Sequence, residues 1–77
     1  MKATISVTLK KGVLDPQGKA VLHALESLGF QGVKEVRVGK YFELDVEGSA
    51  ASEQSLKEMS EKLLANPVME NFKIQQF

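Results

Sequence analysis

The sequence predicts an α+β fold in which four short strands form one antiparallel sheet and two helices cover one of its faces. Three observations predict it. Apolar and polar residues alternate at period two in four places. Apolar residues recur at helical spacing in two others, and the order along the chain is β-α-β-β-α-β.

In the first strand, Ala3, Ile5, Val7 and Leu9 alternate with Thr4, Ser6 and Thr8, a β-branched pattern with one buried face. A loop through residues 10–15 contains Gly12. Asp15-Pro16 then predicts a helix start, because aspartate caps free N–H groups and proline fits the first helical position. Val21, Leu25 and Leu28 share one face of that helix, with Lys19, His23 and Glu26 opposite, and Gly29 is its natural stop. Val36 and Val38 begin a second alternation, and Phe42, Leu44 and Val46 continue it after Gly39-Lys40. A plain two-residue turn at 39–40 would set Val36 opposite Glu43. A three-residue loop or bulge near residues 39–41 is therefore expected, pairing Val38 with Phe42 and Val36 with Leu44. A serine between 49 and 52 caps the second helix, whose buried face is Leu56, Met59 and Leu63, with the small Ser60 among them. Glu53 to Lys57 and Glu58 to Lys62 are charge pairs in the favourable order. Asn66-Pro67 ends this helix, and Phe72 and Ile74 mark the last strand.

Right-handed crossovers turn this order into a ferredoxin-like sandwich with strand order 4-1-3-2, strands 2 and 4 at the edges. The face away from the helices carries Thr4, Ser6, Thr8, Arg37, Tyr41, Glu43, Asp45, Asn71, Lys73 and Gln75. Such a face meets water or a partner.

Length and composition bound the function. Residues 1–77 are expected to form one domain. A core of this size supplies only about 3–5 kcal/mol, so small domains often carry a staple. With no cysteine, disulfides and thiolate metal sites are excluded, which leaves association with another chain. Ten basic residues balance ten acidic ones, without the basic excess of a nucleic-acid binder. There is no apolar run of the roughly 20 residues that span a bilayer, and no signal peptide, so a cytoplasmic protein is expected.

The candidates for chemistry are few. His23, the only histidine, falls on the solvent side of its helix. Glu43 and Asp45 are read as the wet side of a strand. Lys10 to Gly18 has lysines and glycines before a helix, but Gly18-Lys19-Ala20 lacks the hydroxyl of a phosphate-binding loop. Val13 and Leu14 are two adjacent apolar residues in a loop, suited to the core or to another chain. An RNA-recognition module would need aromatics where Thr4, Ser6 and Thr8 stand. A copper carrier would need a C-x-x-C loop. An acylphosphatase would need an arginine after the first strand, and the single arginine is Arg37. No catalytic residue and no metal or cofactor site is assigned to this chain, which leaves a binding or assembly domain.

Lys10-Lys11-Gly12-Val13-Leu14-Asp15-Pro16-Gln17-Gly18-Lys19-Ala20-Val21, followed by Leu28-Gly29-Phe30, resembles the signature of the PurS family. Val36-Arg37-Val38-Gly39-Lys40 with Phe42-Glu43-Leu44, and Leu63-Leu64-Ala65-Asn66-Pro67-Val68-Met69-Glu70, are further matching blocks. The resemblance implies a non-catalytic subunit of phosphoribosylformylglycinamidine synthase. That subunit joins a glutaminase (PurQ) to an ATP-dependent synthetase (PurL) and supports ammonia transfer in de novo purine synthesis. ATP, magnesium and glutamine then belong to the partners, and no cofactor is bound here. The resemblance also implies self-association as a dimer or tetramer, for which an edge strand or the open sheet face is the expected seam. The candidate partner contacts are Lys10, Lys11, Val13, Leu14, Asp15, Gln17, Lys40, Asn66, Pro67 and Glu70. Cap, turn and helix-stop roles also account for several of them. The alternative function is a small-molecule regulatory domain of ACT type, which has the same element order.

Overall fold

The computed structural model describes every residue from Met1 to Phe77. The strand β1 (Lys2–Leu9) is the middle of a three-stranded antiparallel sheet, flanked by β2 (Lys40–Asp45) and β3 (Glu70–Gln76) in the order β2-β1-β3. The register sets Ile5 opposite both Phe42 and Ile74, and Val7 opposite Phe72, so the apolar alternation lines one face. The other face carries Thr4, Ser6 and Thr8 opposite Glu43, Tyr41, Gln75, Lys73 and Asn71, as the alternation predicts.

One helical stretch covers the apolar face. It comprises α2 (Glu53–Met59) and a π-helical turn (Ser60–Leu64), preceded by a 3-10 turn (Gly48–Ala50). Ser52 caps α2, its hydroxyl accepting from the Ser55 N–H at 3.1 Å. Leu56 is fully buried with Ala3 and Val46, and Ile5, Val7 and Ala65 form the adjoining cluster under Phe42, Leu64 and Phe72. The π-turn arises where the Ala65 N–H reaches back five residues to the Ser60 carbonyl at 2.8 Å. The buried Ser60 hydroxyl donates to the Leu56 carbonyl at 2.9 Å. The extra residue in the turn moves the stripe on by one position. Leu64 takes the core side, and Leu63, expected in the core from α-helical spacing, is 82% exposed. The two predicted glutamate–lysine pairs are not closed; Gln54 Nε2 donates to Glu58 Oε1 instead, at 3.3 Å.

The four-stranded sandwich with two helices on one face does not form. The first helix, α1 (Pro16–Ser27), begins and ends close to the predicted places: Asp15 caps it, Pro16 opens it, and Gly29 follows it at φ +93°. It does not lie on its own sheet. Its only buried residue is Gly18, while Val21 and Leu28, expected in the core, are 42% and 75% exposed, and Leu25 is only half-buried. The chain reverses through Leu28–Gly32, and Val36 and Val38 come back beside the start of α1, at Gly18 and Asp15.

These residues are the missing strand. No turn forms at Gly39-Lys40, since Lys40 is already part of β2, and the predicted Val38–Phe42 and Val36–Leu44 pairs are absent. The chain instead continues straight into β2, with Lys40 opposite Val7, so residues 33–37 fall beyond the end of β1. The three strands present do occupy the predicted neighbouring positions. α1 and residues 33–38 form an arm that projects from them. A compact chain of this length has a radius of gyration of about 11.5 Å. This one measures 15.6 Å, with extents of 49 × 25 × 14 Å.

The π-turn makes a direct prediction. Leu56→Ala should cost about 2–5 kcal/mol in urea denaturation, and Leu63→Ala should stay within about 0.5 kcal/mol. Comparable costs would put Leu63 in the core and remove the π-turn.

Candidate partner-binding corner

The three sequence blocks that carry the family resemblance meet at one end of the sheet. The register brings them there: Leu9 lies opposite Glu70 and Val7 opposite Lys40, so the loops leaving β1, entering β2 and entering β3 share a corner. Backbone contacts tie the loops together. The Lys10 N–H donates to the Met69 carbonyl at 2.8 Å, and the Val13 N–H to the Lys10 carbonyl at 3.1 Å, around Gly12 at φ +91°. Such a φ is strained for any side chain.

Each predicted contact residue has a place in this corner. Lys11, Leu14, Gln17, Asn66 and Pro67 are exposed, Leu14 at 63%. Lys10 and Val13 are half-buried. Lys40 Nζ lies 3.7 Å from Glu70 Oε1, which also accepts from the Asn66 N–H at 2.7 Å. The Asn66 side chain accepts from the Val68 N–H at 3.0 Å, so Asn66 and Glu70 shape the turn before β3. The neighbouring Val68 and Met69 are 79% and 45% exposed. The corner thus presents apolar groups beside lysines.

Asp15 is the exception, because it is buried. One carboxylate oxygen accepts from the Gly18 N–H at 2.8 Å and caps α1. The other accepts from the Val38 N–H at 2.9 Å, 23 residues away. The Val38 and Gly18 N–H groups, with the Arg37 charge, hold the Asp15 carboxyl below its ordinary value of 3.8, against a smaller opposing effect of burial.

Sequence reasoning missed Arg37, Gly18 and Gly39 as part of this corner. Arg37 is not on the wet sheet face; one guanidinium nitrogen donates to the Leu9 carbonyl at 2.7 Å and the Lys10 carbonyl at 3.2 Å. Gly18 and Gly39 allow close backbone crossings. A Cβ on Gly18 would overlap the Val36 carbonyl oxygen, and one on Gly39 would overlap that of Val7. The signal was present as a lone arginine between two valines, followed by glycine.

His23 is exposed on the arm, and Glu43 and Asp45 are exposed on the wet face opposite Thr4 and Lys2. No group of three or more His, Cys, Asp or Glu side chains converges, and no helix is long and apolar enough to cross a membrane.

Residues 2–76 match the family description PurS: Phosphoribosylformylglycinamidine (FGAM) synthase. The chain belongs to the PurS family. It is similar to the FGAM synthase subunit PurS of Bacillus subtilis (strain 168), at 52% identity over 94% of this chain and 87% of that one. Its fold is similar to a solved structure of B. subtilis PurS, with a TM-score of 0.87 at 51% identity, covering 96% of this chain and 94% of the other. It is similar also to a chain in the structure of PurLQS from Thermotoga maritima, with a TM-score of 0.79 at 32% identity over 99% and 95%.

The Asp15 bridge predicts a pH response. A carboxyl held low when folded stabilises the fold above its ordinary value, and that stabilisation is lost as pH falls through the lowered one. In an NMR titration, the Val38 amide should shift with a midpoint below 3.8. A midpoint at or above that value would mean the bridge is absent in solution.

Proposed function

We propose that this chain is the non-catalytic assembly subunit of FGAM synthase. It joins the glutaminase subunit, PurQ, to the ATP-dependent synthetase, PurL, and supports ammonia transfer between them in de novo purine synthesis. The observation that carries this reading is the PurLQS structure from T. maritima, which contains a chain of similar fold matched over nearly the whole length. ATP, magnesium and glutamine are handled by the partners, this chain binds no cofactor of its own, and the work is cytoplasmic.

The geometry suits such a role. Lys10, Lys11, Val13, Leu14, Gln17 and Lys40 on one side of the corner, with Asn66, Pro67 and Glu70 on the other, form the partner-facing surface. Exposed apolar groups such as Leu14 and Val68 supply area to bury, and the lysines supply orientation. The chain also self-associates, as a dimer or a pair of dimers. Two features support this: β2 and β3 are each paired along one edge only, and the arm's Val21, Leu28 and Phe30 are uncovered by the chain itself. The ACT-type alternative assumes a sandwich that this chain does not form on its own, and no observation favours it.

Reconstitution with PurL and PurQ from the same source tests the reading. Glutamine-dependent amidine formation should require this chain, while the ammonia-dependent activity of PurL should not. Reversing both corner charges (Lys10→Glu with Lys11→Glu) should weaken assembly about tenfold or more. Glutamine-dependent activity that is unchanged on omitting the chain would refute the assembly role.

A further inference from the structure

The Asp15 carboxylate joins two segments that the sequence keeps 23 residues apart. Its two oxygens are divided between them, one for the first turn of α1 and one for the extended chain at Val38. The same place holds three further restraints. Gly18 lets the helix start and the Val36 carbonyl meet at a distance that excludes any side chain. Arg37 spans from the returning segment to the last carbonyls of β1 and its loop. Gly39 crosses directly over the Val7 carbonyl. The base of the arm is therefore a crossing of three backbone segments, while its far end is a turn at Leu28–Gly32 where Leu28 and Phe30 are exposed.

We infer that Asp15 is a positioning residue for assembly: by holding the start of α1 and the Val38 segment on one carboxylate, it makes the arm a rigid body at a fixed angle to the sheet. The inference rests on the assembly reading, but its effect on the arm belongs to the chain alone. A helix cap needs one acceptor, and serine supplies it. A bridge to two N–H groups from separate segments needs the two oxygens of a carboxylate, because a serine hydroxyl accepts at one point and an asparagine turns one of its ends into a donor. The angle of the arm decides where Val21, Leu28 and Phe30 are delivered, so a loosened base misplaces them without changing one of their atoms.

The test compares wild type with Asp15→Ser, which keeps the cap and removes the bridge. Residual dipolar couplings of the chain alone report whether α1 and the sheet share one orientation, circular dichroism reports α1 itself, and binding to PurL and PurQ reports assembly. The expected result is unchanged helicity, α1 couplings that no longer fit the sheet's alignment, and assembly weakened about tenfold or more. Couplings that still fit one rigid body, or full-strength assembly from a loosened arm, would overturn the inference. Should Asp15→Ser fail to fold, Asp15→Asn keeps one acceptor for the cap, turns the other end into a donor that cannot take the Val38 N–H, and is expected to act in the same direction. A wild-type chain that binds neither subunit would overturn the assembly reading instead, with the couplings still deciding whether Asp15 fixes the arm.

Discussion

The division of one buried carboxylate between two backbone segments is the constraint on which the rest of the structure depends. Asp15 satisfies a free N–H at the start of α1, as many helix caps do, and its second oxygen takes the Val38 N–H. That second bond keeps residues 36–38 beside the helix rather than beside β2. The chain therefore runs straight through Gly39 into β2, and the hairpin expected there has no residues left to form it.

From this follows the unusual distribution of burial. The sheet, α2 and the π-turn form a small core around Ile5, Val7 and Leu56, but α1 contributes none of its apolar stripe to it. A domain of this size has little core to spare, and leaving Val21 and Leu28 exposed is unfavourable in isolation. An extended radius of gyration and bare apolar residues on a well-anchored arm are physically consistent when other chains cover that arm.

Most of the local structure was legible in the sequence. The strand alternation in residues 3–9, the Asp15-Pro16 helix start, the capping serine at 52 and the stop at Asn66-Pro67 all depend on chemistry within a few residues. What sequence spacing could not reveal was long-range. The Val36–Val38 alternation satisfies a sheet and a helix-backed strand equally well, and only the bond from Val38 to Asp15 selects the second. Leu63 was misplaced because a π-turn changes the helical period without any distinctive residue. The corner was foreshadowed by the resemblance blocks at Lys10–Val21, Val36–Lys40 and Leu63–Glu70, yet their meeting depends on the β2-β1-β3 register. Parity places Arg37 on the wet face, and parity fails once its segment leaves the sheet.

In this chain α1 is held off its own sheet. Isotope-filtered NOE measurements on a mixture of labelled and unlabelled chains test it most directly, because they separate contacts within a molecule from those between molecules. No contact is expected within one chain between the methyl groups of Val21 or Leu28 and the side chains of Ile5 or Phe72; any such contacts should appear only between chains. Strong contacts between these groups within a single chain would mean that α1 folds back onto its own sheet, and the arm would not exist.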